Sequence, residues 1–143
     1  MLVIREIVVA DAQPAAELSG ELGYPVTTEE IAERIAALKG LENHVVYVAC
    51  LRDNPVGWID IGVVHHLQAE PYGEIGGLVV ASTVRNGGIG RQLLARAEQW
   101  VRDRGVKKIL VRSRISREDA HRFYVREGYE QTKTSAVFSK SLV

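Results

Sequence analysis

Between Gly73 and Val111 the chain changes its apolar period twice, and this limits the possible architecture more than any other feature. Residues 73–80 (GEIGGLVV) read as a short strand. Ile89, Leu93, Leu94, Ala97, Trp100 and Val101 then recur at the spacing of one helical face, until Gly105 stops the repeat. The run KKILV at 107–111 returns to strand character, with the apolar density of a buried interior position. A strand, a helix and a second strand in this order form a crossover, which sets the two strands parallel and makes the connection right-handed.

The rest of the chain reads as hairpins and short helices. Leu2–Val9 is a β-branched first strand, and Asp11 is placed to cap a helix over 12–22. Pro25 breaks that helix at GYP. In TTEEIAERIAALKG, Thr27 and Glu30 have capping-box spacing, Ile31, Ile35 and Leu38 share a face, and Gly40 ends the repeat. Val45–Leu51 and Val56–Val64 flank the turn RDNP and predict a hairpin. A short helix is expected over Asp119–Glu127, then a last strand over Ser135–Lys140 and an earlier one at Tyr129–Lys133. The order predicts a single α/β (α+β) domain over residues 1–143, a mixed, mostly antiparallel sheet flanked by helices. At 143 residues the chain can bury a core without staples.

Charge and composition exclude some partners. Lys plus Arg and Asp plus Glu both number 18, so the basic excess of a nucleic-acid or anionic-membrane binder is missing. No run approaches the ~20 apolar residues of a membrane helix, and the start lacks the pattern of a signal peptide. The single cysteine, Cys50, allows no intrachain disulfide and fits a reducing, cytoplasmic setting; within VVYVACL it reads as a buried strand residue.

The stretch STVRNGGIGRQLL (82–94) joins the first crossover strand to the helix with three glycines. A helix start leaves several N–H groups without partners, aided by the positive end of the helix dipole. Gly87, Gly88 and Gly90 would let a phosphate reach such donors with no Cβ in the way, and Arg85 could add a charge-assisted contact. The other reading is a close-packed helix start without a ligand. Two familiar phosphate loops fit badly. No Lys–Ser/Thr pair follows the glycines, and the acid of a dinucleotide fingerprint is missing from 107–112.

Arg85-Asn-Gly-Gly-Ile-Gly90 resembles the R/Q-x-x-G-x-G/A signature of the GNAT N-acetyltransferase superfamily. EIGGLVVAS is similar to the family's fourth strand, GRQLLARAEQWVRDRG to its third helix and KKILVRS to its fifth strand. AHRFYVREGYE resembles its A-x-x-F-Y segment. The resemblance is close over 74–130 and looser elsewhere. It implies the GNAT fold, with a splay between strands 4 and 5. It also implies acetyl-coenzyme A as cosubstrate and acetyl transfer to a primary amine of a small molecule or peptide, by direct attack in a ternary complex. By this resemblance the diphosphate lies on Arg85, Asn86, Gly87, Gly88, Ile89 and Gly90, with Arg91 able to help. The pantetheine arm lies along Leu78, Val79 and Val80 like an added strand. Arg117 stands where many members carry an Asn that assists the arm, so that Arg117 or Ser116 would take its place. Members often pair through their C-terminal strands, and the tail TSAVFSKSL is compatible with a homodimer. A catalytically silent acyl-coenzyme A sensor is the alternative reading.

Acyl transfer to an amine requires loss of a proton from the amine, polarisation of the thioester carbonyl and a proton for the thiolate. The resemblance assigns the last task to Tyr124, a phenol protonated at pH 7; the pattern alone would place Phe123 and Tyr124 in a core. Glu74 is the candidate base, or else a solvent-facing strand end. His65 and His66 lie nearby, as a relay or as a plain surface hairpin. Tyr24 could line the acceptor pocket, and Glu21, Glu29, Glu30, Glu33 and Glu70 could draw a cation or simply face solvent. No third ligand accompanies the histidine pair, and no metal is assigned.

Overall fold

The computed structural model describes residues 1–143 apart from Asn86 and Ile115. It forms two compact units, Met1–Val111 and Arg112–Val143. In the first, Leu2–Glu6 (β1), His44–Leu51 (β2), Asn54–Val64 (β3), Tyr72–Val80 (β4) and Ile109–Val111 (β5) lie side by side in that order. β1 to β4 are antiparallel neighbours, and β5 runs parallel to β4, as the strand–helix–strand pattern requires. The β2–β3 turn passes through Arg52 and Asp53, both with positive φ (51° and 67°), as tight hairpins demand.

Strand alternation divides the side chains between two helical layers. Val46, Val48, Cys50 and Trp58 pack with Ile7, Ala12, Ala15 and Ile35, under helices Ala12–Leu22 (α1) and Thr28–Lys39 (α2). Trp58 Nε1 donates to Ala15 O at 3.2 Å and ties β3 to α1. On the opposite face lies Ile89–Asp103 (α3), whose six apolar positions expected from the sequence are all buried. Leu93 and Val101 press on Gly57 and Gly73, where a Cβ would come within 3.2 and 2.6 Å of them. Arg96 lies 4.4 Å from the centroid of the Tyr47 ring. Burying six such side chains contributes on the order of 10 kcal/mol.

Local chemistry sets the helix ends. Thr27 accepts from Glu30 N at 3.1 Å and Glu30 accepts from Thr27 N at 2.9 Å, the expected capping box. Asp11 does precede α1, but its side chain does not cap it. The carboxylate turns back to take two bonds from Arg5 (2.8 and 2.9 Å) and one from Val8 N (2.8 Å). A bidentate guanidinium and an amide outcompete the helix amides.

Three expected strands differ. β5 is a half-buried strand of three residues at the end of the described sheet, not an interior strand, because an apolar run reports burial and not rank in the sheet. In the second unit, Glu118–Arg126 (α4) is followed by Gly128 with φ 96°. The strands expected at 129–133 and 135–140 are not formed, and residues 130–143 are exposed without helix or strand. Alternation makes a segment competent for a sheet, but a strand requires a partner edge.

Candidate active site

The β4–β5 pairing stops early. Gly73, Glu74 and Ile75 face Ile109, Leu110 and Val111, and there the ladder ends. β4 continues to Val80, paired with β3 on one side only among the strands of the first unit. Gly76–Val80 therefore has an edge that no strand of the first unit covers, and it includes the expected arm-binding residues Leu78, Val79 and Val80. At the mouth of this opening the β3–β4 register slips: Asp60 faces Gly77 and Ile61 faces Ile75, so Gly76 is the extra residue of a bulge. Gly76 is also the one exposed residue of β4.

The open edge leads into the glycine stretch. Ala81 N donates to Val56 O (2.7 Å) and Ser82 N to Glu21 Oε1 (3.0 Å), which pins the turn to β3 and α1. Glu21 is thus engaged in structure. Arg85 Nε donates to Val80 O at 3.1 Å, folding the arginine over the strand end. Gly88 is the N-cap of α3, left-handed at φ 79° and without a side-chain cap bond, in contrast to Thr27 at α2. A Cβ on Gly88 would meet nothing within 4 Å, so glycine is required there for its backbone angle. Gly87 and Arg91 are exposed, the Ile89 side chain is buried in the core, and Gly90 is half-buried. Asn86 lies outside the described residues. A helix start with glycine as its N-cap, a second glycine in front of it and two arginines beside it suit a diphosphate.

The face of β4 that carries Glu74 is turned toward α1 and α2, since Gly73 faces α3. Glu74 is half-buried opposite Gly62. The sequence reading missed the pair beside it: His44 Nε2 on β2 lies 2.6 Å from Asp60 Oδ1 on β3. Asp60 raises the imidazole above its usual range, against the opposing effect of burial. His66 Nε2 is 3.1 Å from Tyr72 Oη, which fixes it at the start of β4; His65 is exposed. Tyr24 is 52% exposed beyond the end of α1, its backbone held by Ser19. Leu22 lies over the bulge, its Cδ2 3.5 Å from the Cβ position of Gly77.

In the second unit Tyr124 is half-buried between Phe123 and Tyr129, with ring centroids 5.2 and 5.6 Å away. Burial pushes its phenol up to about 12, with Arg117 pulling weakly the other way. Ser116 and Arg117, at the start of α4, are exposed.

A cavity of about 410 Å³ opens elsewhere, between the ends of β1, α2 and α3, lined by Ile35, Leu38, His44, Trp100 and Arg104 among others. It lies on the β1–β2 side of the sheet and holds none of the residues just described except His44. The open edge of β4 is the better candidate, because there main-chain groups converge with the glycine stretch. Among the described residues no group of three or more His, Cys, Asp or Glu could hold a metal ion. No described helix is long and apolar enough to cross a membrane.

Comparison with known proteins identifies the family. A family model described as the acetyltransferase (GNAT) family matches residues 11–129. Over 117 residues the chain is 39% identical to the aminoalkylphosphonate N-acetyltransferase of Salmonella typhimurium, covering 80% of this chain and 73% of that protein. It is 29% identical over 144 residues to the aminoglycoside N(6')-acetyltransferase type 1 of Stenotrophomonas maltophilia, covering 97% and 93%. Its fold matches, with a TM-score of 0.86 over 99% of each chain and 15% identity, a solved structure of AAC(6')-Iy in complex with the bisubstrate analog CoA-S-monomethyl-acetylneamine. The chain belongs to the GNAT family of acetyltransferases, enzymes that take their acetyl group from acetyl-coenzyme A.

Proposed function

We propose that residues 1–143 act as one catalytic domain in the cytoplasm, transferring acetyl from acetyl-coenzyme A to the primary amine of a small molecule. The observation that carries this reading is the open edge of β4, running from the Gly76 bulge to the glycine N-cap of α3. In this reading the amides of Gly87, Gly88, Ile89, Gly90 and Arg91, with Arg85, hold the diphosphate. Leu78, Val79 and Val80 take the arm as an added strand. Ser116 and Arg117 serve the coenzyme in place of the family Asn. A path of four residues from Val80 back to Gly76 covers ~13 Å at strand rise, which brings the acyl end of an extended arm near the bulge.

The amine attacks directly. Cys50, the single thiol, is 4% exposed and burial raises its pKa, so it offers no thiolate for an acyl-enzyme. Glu74 accepts the amine proton, and Tyr24, His65 and His66 border the acceptor. Tyr124 serves the departing sulfur. With its phenol near 12 and a thiol near 8.5, full proton transfer is uphill by ~5 kcal/mol. Its part is therefore a hydrogen bond that stabilises the thiolate as it forms. Identity to an aminoalkylphosphonate acetyltransferase makes that substrate class the first to try, with aminoglycosides second. The exposed apolar tail, with Phe138 at 93% and Leu142 at 90% exposure, favours a homodimer that covers it.

The test is thiol release from acetyl-coenzyme A in the presence of 2-aminoethylphosphonate, neamine and simple primary amines. Turnover on one of them supports the reading. Tight acetyl-coenzyme A binding with no turnover would make the protein a sensor, and absence of binding would end both.

A further inference from the structure

Asp60 occupies an unusual place for a carboxylate in the middle of a sheet. On one side His44 Nε2 stands 2.6 Å from Oδ1, as a close ion pair rather than an aligned hydrogen bond. That approach depends on Gly62, where a Cβ would stand 2.9 Å from His44 Nδ1. On its other side lies the bulge of β4. A Cβ on Gly76 would be 3.1 Å from Asp60 Oδ1 and 3.5 Å from Oδ2, and Gly76 itself is exposed. Glycines on both flanks thus let one residue clamp the carboxylate and leave it open toward the sheet edge. Glu74 projects from the same face one strand over, opposite Gly62. Among the described residues His44 is the one side chain that pairs with the Asp60 carboxylate.

We infer that Asp60 receives the protonated amine of the acceptor at the Gly76 bulge, and that His44 is the positioning residue that holds it there. This rests on the reading above, because the bulge is where the acyl end of the arm arrives. An amine reaches an enzyme at neutral pH as an ammonium ion, and its three N–H donors require acceptors outside bulk water. Asp60 supplies a carboxylate already oriented by His44, and Glu74 remains to take the proton that leaves. The group selected is a primary ammonium; a neutral hydroxyl offers one donor and no charge. Replacing one of two carboxylates should weaken acceptor binding without disturbing coenzyme binding, since the diphosphate and arm contacts lie elsewhere on β4 and α3.

The experiment compares wild type, Asp60→Asn, His44→Ala and His44→Gln as full-length proteins, with acetyl-coenzyme A and 2-aminoethylphosphonate or whichever amine of the panel wild type acetylates fastest. Asp60→Asn is expected to raise the acceptor KM about tenfold, with kcat changed less than about threefold and acetyl-coenzyme A affinity by calorimetry within about twofold. His44→Ala should raise KM in the same direction, and His44→Gln, which keeps an N–H donor, should restore much of it. If Asp60→Asn does not fold, Gly76→Ala puts a methyl group between carboxylate and bulge and should raise the same KM. An unchanged acceptor KM in a folded variant, or a loss seen in coenzyme affinity instead, overturns the inference and leaves the acetyltransferase reading standing. Failure of wild type to acetylate any amine overturns both.

Discussion

Tyr124 shows how one side chain's surroundings set what it can do. Packed between two aromatic rings, its phenol stays protonated to about pH 12. The pH–rate profile should therefore show no descending limb from this group below pH 11, and Tyr124→Phe should lower kcat by roughly 10- to 100-fold with coenzyme affinity retained. Stopped turnover assays across pH would check both. Asp11 illustrates the opposite shift. The Arg5 side chain, then the Val8 amide, hold its carboxyl below the ordinary 3.8, against desolvation. A lowered folded pKa means that its stabilisation is present above pH 3.8 and is lost as pH falls through the folded value. Asp11→Asn should cost about 2 kcal/mol at pH 7 by urea unfolding, and its curve should converge with wild type in acid. His44 has the reverse sign. Asp60 raises its pKa above 6.5, so the pair stabilises fully below pH 6.5 and loses strength as pH rises through the folded value. NMR titration of His44 should show this elevation, and Asp60→Asn should remove it.

At the scale of elements, α2 and α3 begin in contrasting ways, and the difference bears on function. α2 satisfies its own first turn with Thr27 and Glu30; α3 starts at a left-handed glycine without a side-chain cap. Gly88→Val would force a β-branched residue to φ 79° and should lose stability and coenzyme affinity together. Gly87→Ala separates the two effects: its Cβ would meet Val84 O at an ordinary 3.4 Å. The fold should survive, and acetyl-coenzyme A affinity should fall by roughly tenfold, because the methyl group crowds the phosphate while the amide donor is kept. Calorimetry beside a thermal melt distinguishes these outcomes. The start of α3, its buried face and the capping box of α2 were legible in the sequence because each is local, a matter of spacing within one element. The Asp60–His44 pair was not. It arises from the register of three strands and a bulge at Gly76, and no pattern within β2 or β3 announces either. Asp11 was placed correctly in the chain but not in its bonding, because Arg5 lies on another element. The rank of β5 and the unpaired tail were illegible for the same reason: edge and partner are properties of neighbours.

For the molecule as a whole, the proposed homodimer rests on the tail. Val137, Phe138 and Leu142 are 86–93% exposed, the apolar side chains that pairing would cover. Light scattering after gel filtration should give a dimer, and removal of residues 134–143 should give a monomer; a monomeric wild type would contradict the pairing. Acetyl transfer by this chain turns on where the coenzyme meets the main chain. Amide hydrogen exchange, resolved by residue and measured with and without acetyl-coenzyme A, examines that contact directly. Protection should rise at the amides of Gly87–Arg91 and at those of Gly76–Val80 that point away from β3. Protection confined to the cavity between β1, α2 and α3, or unchanged exchange along β4 at saturating coenzyme, would contradict it.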